Sequence, residues 1–198
     1  MNIAVFWKLL AGSLIGVASQ EEREERLVTW LRAMSLPDIV GFQAIKDQLI
    51  RRVDTHEMRA AHRLIMGGNG GGDPYFYFLH WLIGLGQETY ERVVADVEAL
   101  LDVRDLPRPL GGHAEWAFWP EWEGLLSIAA KAYAAANGTE LGGGPDPRTM
   151  TNSLYDPETR GDWDSFDMNE VSRRLPRFFE AARPGLDPWF LKDWSGSR

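Results

Sequence analysis

Helix-start signals recur along this chain at short intervals, each followed by apolar residues at helical spacing. That repetition leaves little room for anything but an all-α fold. Ser19 with Glu22 reads as a capping box, in which a hydroxyl and a carboxylate reciprocally satisfy free N–H groups of the first turn. Behind it Leu27, Trp30, Leu31 and Met34 follow the i, i+3, i+4, i+7 pattern of one helix face. Ser35 with Asp38 opens another helix, with Pro37 tolerated in its first turn and Phe42, Ile45, Leu49 and Val53 as its stripe. Asp54 with Glu57 repeats the device ahead of Met58, Ala61, His62 and Ile65, and Gly67-Gly68 stops that helix. Asp73-Pro74 reads as an N-cap aspartate followed by an N1 proline. It opens the segment from Tyr75 to Ile83, which is apolar on nearly every face and is therefore the expected central helix.

Further along, Tyr90, Val93, Val94, Val97 and Leu101 mark an amphipathic helix. The periodicity vanishes from Leu106 to Pro120, where prolines and glycines break it. A strong helix is predicted to start near Pro120, with Trp122, Leu125, Leu126, Ala129 and Tyr133 inside and Asn137-Gly138 as its left-handed stop. The stretch from Gly142 to Gly161 is Gly/Pro/Asp-rich and predicts loop. Asp167 with Glu170 starts a short last helix interrupted at Pro176, and the tail carrying Trp189, Phe190 and Trp194 is expected to pack on the body. Alternating β patterns are absent. The expectation is a single all-α domain over 1–198 with about seven or eight helices. It has a helical core at 1–138, then loop, short helix and aromatic tail at 139–198.

Composition narrows the function. A chain of 198 residues with 44% apolar residues suits one domain with a core. A net charge of -8 argues against nucleic acid, because phosphate neutralisation needs a Lys/Arg surplus. With no cysteine, disulfides, thiolate metal sites and a Cys nucleophile are excluded. The first twenty residues are apolar, but they lack a basic n-region and Lys8 interrupts the run. Phe6, Leu9, Leu10, Leu14 and Val17 read instead as the face of a first helix, and no uncharged apolar run reaches about 18 residues. A cytoplasmic protein with no membrane partner is the expectation.

Little in the chain announces chemistry. His56, His62, His80 and His113 carry no H-E-x-x-H spacing, and His62 on an apolar face reads as a hydrogen-bonded core histidine. The glycines of 67–72 lack the Lys-Ser/Thr of a phosphate loop and read as a connector. Asp162, Asp164 and Asp167 lack the Gly and Glu of a calcium loop. No catalytic set, metal set or cofactor is expected. Nine Trp are many for this length, as core anchors or as partner-facing surface. Glu121 and Glu123 lie beside Trp116, Trp119 and Trp122, where burial raises carboxyl pKa values.

An ordered set of motifs resembles a known family. It comprises Phe6-Trp7; Tyr77-Phe78-Leu79-His80-Trp81-Leu82-Ile83 followed by Gly86; Leu125-Leu126-Ser127-Ile128-Ala129 with Ala132-Tyr133; and Trp163-Asp164 leading to Arg174-Leu175-Pro176-Arg177. These resemble, over about residues 3–183, an uncharacterised, mainly actinobacterial family of unknown function with a signature near G-G-C-S-D-D-x-F-x-x-F-R-x-W-L-I-x-x-G. The chain departs from it where chemistry would matter: Gly72-Asp73 replaces the acidic pair, Leu79 stands at the Arg position, and the Cys is missing.

The expected function is a non-catalytic binding protein of the regulatory or immunity type, engaging a basic protein partner through an acidic, Trp-rich surface. Candidate contact residues are Asp73, Trp81, Trp116, Trp119, Glu121 and Glu123. The alternative is an enzyme or small-ligand binder with its pocket between loop 67–74 and segment 113–123. The two differ in shape: a deep pocket with convergent carboxylates favours the second, an open acidic face with accessible Trp the first. The oligomeric state is not legible.

Overall fold

The computed structural model describes residues 1–68, 72–106, 108, 110, 119–151, 163–189 and 191. The chain is helical, with no strand among the described residues. In order come α1 (Ile3–Ser13), α2 (Gln20–Arg32), α3 (Leu36–Val53), α4 (His56–Ile65), α5 (Asp73–Gly84) and α6 (Gln87–Ala95). Then follow α7 (Ile128–Ala136), α8 (Pro147–Met150), α9 (Met168–Arg174) and α10 (Pro176–Ala182). Short 3-10 turns lie at Val97–Asp102, Glu123–Leu126 and Arg183–Gly185.

The start signals act where the sequence placed them in three cases, one of them Asp167, whose side chain accepts from Asn169 N at 2.9 Å to open α9. Ser19 Oγ accepts from Glu22 N at 3.2 Å, while Glu22 Oε2 reaches back to Ala18 N at 2.8 Å. Ser35 Oγ accepts from Asp38 N at 3.3 Å. Two others are displaced. Thr55, not Asp54, caps α4 by accepting from Met58 N at 3.1 Å. Asp54 ends α3 as a buried carboxylate, accepting from the Tyr75 hydroxyl at 2.7 Å with Arg59 at 3.7 Å. At α5 the N-cap is Gly72, and no side chain supplies a cap hydrogen bond. Gly72 has φ 61°, a backbone only glycine adopts freely, and this turn into the helix places Asp73 one residue inside it.

α5 is central, as expected: Tyr75, Phe78, Leu79, Leu82 and Ile83 are buried among α3, α4 and α6. α1 lies over α2 and α3, with Phe6 against Phe42 at 4.7 Å and Trp7 against Tyr90 at 5.5 Å. It ends at Ser13, so Leu14 is exposed rather than part of its buried face. α7 packs along α2 and α3, and α9 and α10 cover α4. Glu98 Oε1 caps α10 from a distance, accepting from Arg177 N at 2.7 Å and Phe178 N at 3.0 Å.

The helices outnumber the seven or eight expected because several stripes are broken. The stripe from Tyr90 to Leu101 divides at Asp96 into α6 and a 3-10 turn. The helix predicted from Pro120 begins only at Ile128. Upstream of it, the carbonyls of Leu125 and Leu126 each accept from Lys46 Nζ at 3.1 Å. The last helix splits at Leu175-Pro176, where proline cannot donate to a continuing ladder. α8 interrupts the predicted loop 142–161, whose residues 152–161 lie outside the described ones. Trp189 is 71% exposed instead of packed, whereas Leu186 is buried and Leu191 rests on the core; Phe190 and Trp194 are outside the described residues.

Candidate functional site

Arg23 sits one turn inside α2, in line with the buried Leu27 and Leu31, so its guanidinium is carried inward. Nε donates to Ser13 Oγ at 2.8 Å, and Nη2 to the carbonyls of Leu10 at 3.2 Å and Gly84 at 2.8 Å. One side chain thereby ties α1, α2 and α5 together. The Trp122 ring lies 4.1 Å from the guanidinium carbon. Gly84 makes that approach possible, because a Cβ there would meet the Trp122 ring at 2.4 Å. Burial lowers the Arg23 pKa to about 10, and no carboxylate pairs with it among the described residues.

Arg23 borders an open groove of about 610 Å³. Trp81 and Trp122 flank it, Leu14 and Leu85 add apolar surface, and Asp105 and Gln20 are polar edges. Gln20 is shared with an adjoining cleft of about 470 Å³ that gathers Glu21, Glu24, Glu121 and Glu123 against the single cation Lys131. Several contacts build this acidic cleft. Gln20 Nε2 donates to the Glu121 carbonyl at 3.3 Å, and Trp122 Nε1 donates to Glu24 Oε1 at 2.8 Å. The Glu24 carboxylate occupies the space a side chain at Gly124 would need. Trp122 N donates to the Tyr77 carbonyl at 3.1 Å, pinning the segment to α5. Burial, with Glu123 close by, pushes the Glu121 carboxyl above the usual carboxylate range. Tyr77 donates to Glu123 Oε1 at 3.3 Å, and burial with the charges of Glu123, Asp73 and Glu121 raises its phenol.

The sequence candidates therefore separate. Trp81 lines the apolar groove, and Glu121 and Glu123 line the acidic cleft. Asp73 is exposed at the start of α5 and lines neither, although its charge is felt at Tyr77. Trp119 is half-buried and outside both linings; Trp116 lies outside the described residues. Both recesses are built on the start of α2 rather than on loop 67–74, whose residues 69–71 lie outside the described ones. Sequence reasoning missed Gln20, Arg23 and Glu24. The usable signal was Arg23 itself, an arginine at i−4 and i−8 from two core leucines. Of the remaining tryptophans, Trp7, Trp122 and Trp163 are buried anchors, and of these Trp122 also touches the groove.

A second polar region is smaller and more enclosed. Lys46 is buried with His80, Gln43, Asp47 and Arg148 around a cavity of about 30 Å³, room for about one or two water molecules. His80 Nδ1 donates to the Phe76 carbonyl at 2.8 Å, which leaves Nε2 as an acceptor with no partner among the described residues. Thr151 donates to Asp47 at 3.0 Å and so ties the end of α8 to α3, while Arg148, paired within α8 to its N-cap Asp146 at 2.6 Å, lines the cavity. Burial lowers Lys46 to about 8 and His80 to about 3. His62 is a core residue, as expected, but it is not hydrogen-bonded: neither ring nitrogen has a partner among the described residues. It is packed by the Tyr75 and Phe78 rings at 5.4 and 4.9 Å, and burial lowers it to about 3.

Among the described residues no group of three or more His, Asp or Glu side chains is placed to hold a metal ion, and no helix is long and apolar enough to cross a membrane. No curated protein and no solved structure matches the chain. The α1–α7 body that carries both recesses coincides with a family match over residues 1–135, and the chain belongs to that family, described as protein of unknown function (DUF4240).

Proposed function

We propose that this chain is a non-catalytic binding protein whose partner is a basic, partly apolar segment of another protein. The observation that carries this reading is the adjacency of two open recesses of opposite character. One is apolar, with Trp81 and Trp122 on its walls; the other holds four glutamates against one lysine; Gln20 belongs to both. Side-chain anchors fit the first, and Lys or Arg side chains fit the second through charge complementarity. Glu24 and Glu123 are held by Trp122 and Tyr77, so part of the acidic wall is pre-ordered and little side-chain entropy is lost on binding. Openness of both recesses favours a chain segment over an enclosed small molecule.

The test uses fluorescence anisotropy with labelled twelve-residue peptides, matched in apolar content and carrying either three Lys/Arg or three Glu. The basic peptides are expected to bind, with affinity falling steeply as salt rises. Glu121→Lys with Glu123→Lys is expected to weaken them at least about tenfold, a loss of about 1.4 kcal/mol. Equal binding of acidic peptides, or indifference to the double reversal, overturns the reading.

A further inference from the structure

The apolar groove holds a charge that the proposed partner chemistry does not explain. Arg23 is 8% exposed, yet its three hydrogen bonds all go to neutral oxygens: one hydroxyl and two carbonyls. A buried cation without a counter-charge is costly, and a carboxylate is its usual companion. Nε and Nη2 are spent on those three bonds, and Nη1 has no acceptor among the described residues. The side chain that carries it lines the same groove as Trp81 and Trp122. A guanidinium nitrogen with free N–H groups, fixed in place by its neighbours, suits an anionic oxygen such as that of a carboxylate.

We propose that Arg23 receives the C-terminal carboxylate of the bound segment; this rests on the binding reading above and names which end of the partner is read. The last side chain of the segment fills the space between Trp81 and Trp122. Lys or Arg residues upstream cross Gln20 and meet Glu21, Glu24, Glu121 and Glu123. A terminal residue satisfies both features of the groove at once, because its carboxylate and its side chain leave the same Cα. A free small acid leaves the acidic cleft unfilled and is repelled by it, whereas upstream basic residues neutralise that field while delivering the carboxylate. Asp105, the other charged side chain on the groove, is an acceptor for the N–H groups of the arriving backbone.

The experiment compares one basic twelve-residue peptide ending in Leu, made as the free acid and as the C-terminal amide, against the whole chain by fluorescence anisotropy. The acid is expected to bind about tenfold or more tightly than the amide. In Arg23→Gln that ratio is expected to collapse to about one. In Trp81→Ala both forms are expected to weaken with their ratio retained. Because Arg23 also ties three helices together, Arg23→Gln is first checked by thermal melting. If it does not fold, the acid-to-amide ratio in the unaltered chain decides. Equal affinity of acid and amide overturns the carboxylate assignment and leaves the docking of basic segments standing. Failure of both to bind overturns docking and assignment together. If 4-phenylbutyrate alone binds as tightly as the acid peptide, the groove takes a free acid and the assignment to a chain terminus fails.

Discussion

Arg23 and Lys46 solve the same packing problem and end in opposite surroundings. Each is a buried cation that bonds backbone carbonyls of a distant segment: Leu10 and Gly84 for Arg23, Leu125 and Leu126 for Lys46. Each therefore ties its own helix to a segment distant in the chain. Arg23 fronts an open groove of about 610 Å³, whereas Lys46 faces a more enclosed cavity of about 30 Å³ that Arg148 of α8 helps to line. A buried charge can thus be a structural tie in one place and a tie with spare donors facing a recess in another. What separates them here is access: Arg23 borders an open groove and Lys46 a small, more enclosed cavity.

The largest expected effect lies on the closed side and in the core beside it. His62 and His80 titrate near 6.5 when unfolded and are lowered to about 3 when folded. Between those values the unfolded chain binds more protons, so stability rises with pH across the window and is lost as pH falls from 6.5 towards 3. Each group contributes on the order of 3–5 kcal/mol to that loss, at about 1.4 kcal/mol per pKa unit. Urea denaturation at pH 7, 5.5 and 4.5 reads the slope, and His62→Phe is expected to flatten it by about half. An unchanged slope in that variant breaks the account of His62 as a neutral core residue.

Lys46→Met comes next. It strips the donor from two carbonyls and is expected to cost about 2–4 kcal/mol. It also carries a pH signature. Lys46 is lowered from 10.5 to about 8, so the unfolded chain binds more protons between those values and stability climbs with pH there. Above about 10 Tyr90, whose phenol burial raises, opposes the gain, so pH 8–10 is the clean interval. The variant is expected to lose the climb, as read by urea denaturation at pH 8 and 10. If the climb survives, Lys46 is not its source.

The smallest effect tests the open side. Gly84→Ala places a methyl group against the Trp122 ring and close to Arg23 Nη1. Overpacking of this kind costs about 1–3 kcal/mol. Unlike Lys46→Met, it is expected to reduce binding of the basic acid peptide as well, because Trp122 is a wall of the groove. Lost stability with unaltered binding separates the Arg23–Trp122 stack from the recess.

Local chemistry in the chain was legible wherever a signal acts within a few residues. Ser19 and Ser35 cap as their spacing says, and Gly138 turns left-handed after α7 with φ 67°. Asp54 and Asp73 show the limit of such signals. Thr55 is an equally good cap one residue later, and Asp54 is drawn into the core by Tyr75. Gly72 lets the chain enter α5 from a direction no other residue takes easily. The delayed start of α7 is of the same kind, since the carbonyls of Leu125 and Leu126 answer to Lys46 from about eighty positions away.

The all-α class, the order of the helices up to α6, the central place of α5 and the acidic character of the Glu121–Glu123 segment all follow from the sequence alone. Each depends on periodicity, capping or composition, which are properties of neighbouring residues. The pairing of Glu121 and Glu123 with Glu21 and Glu24, the burial of Trp122, and the inward turn of Arg23 beneath an open groove were decided only by the tertiary structure. Those outcomes depend on which helix surfaces meet. Gly84, legible in the sequence only as a helix end, and Gly124 set them by leaving room for the Trp122 ring and the Glu24 carboxylate.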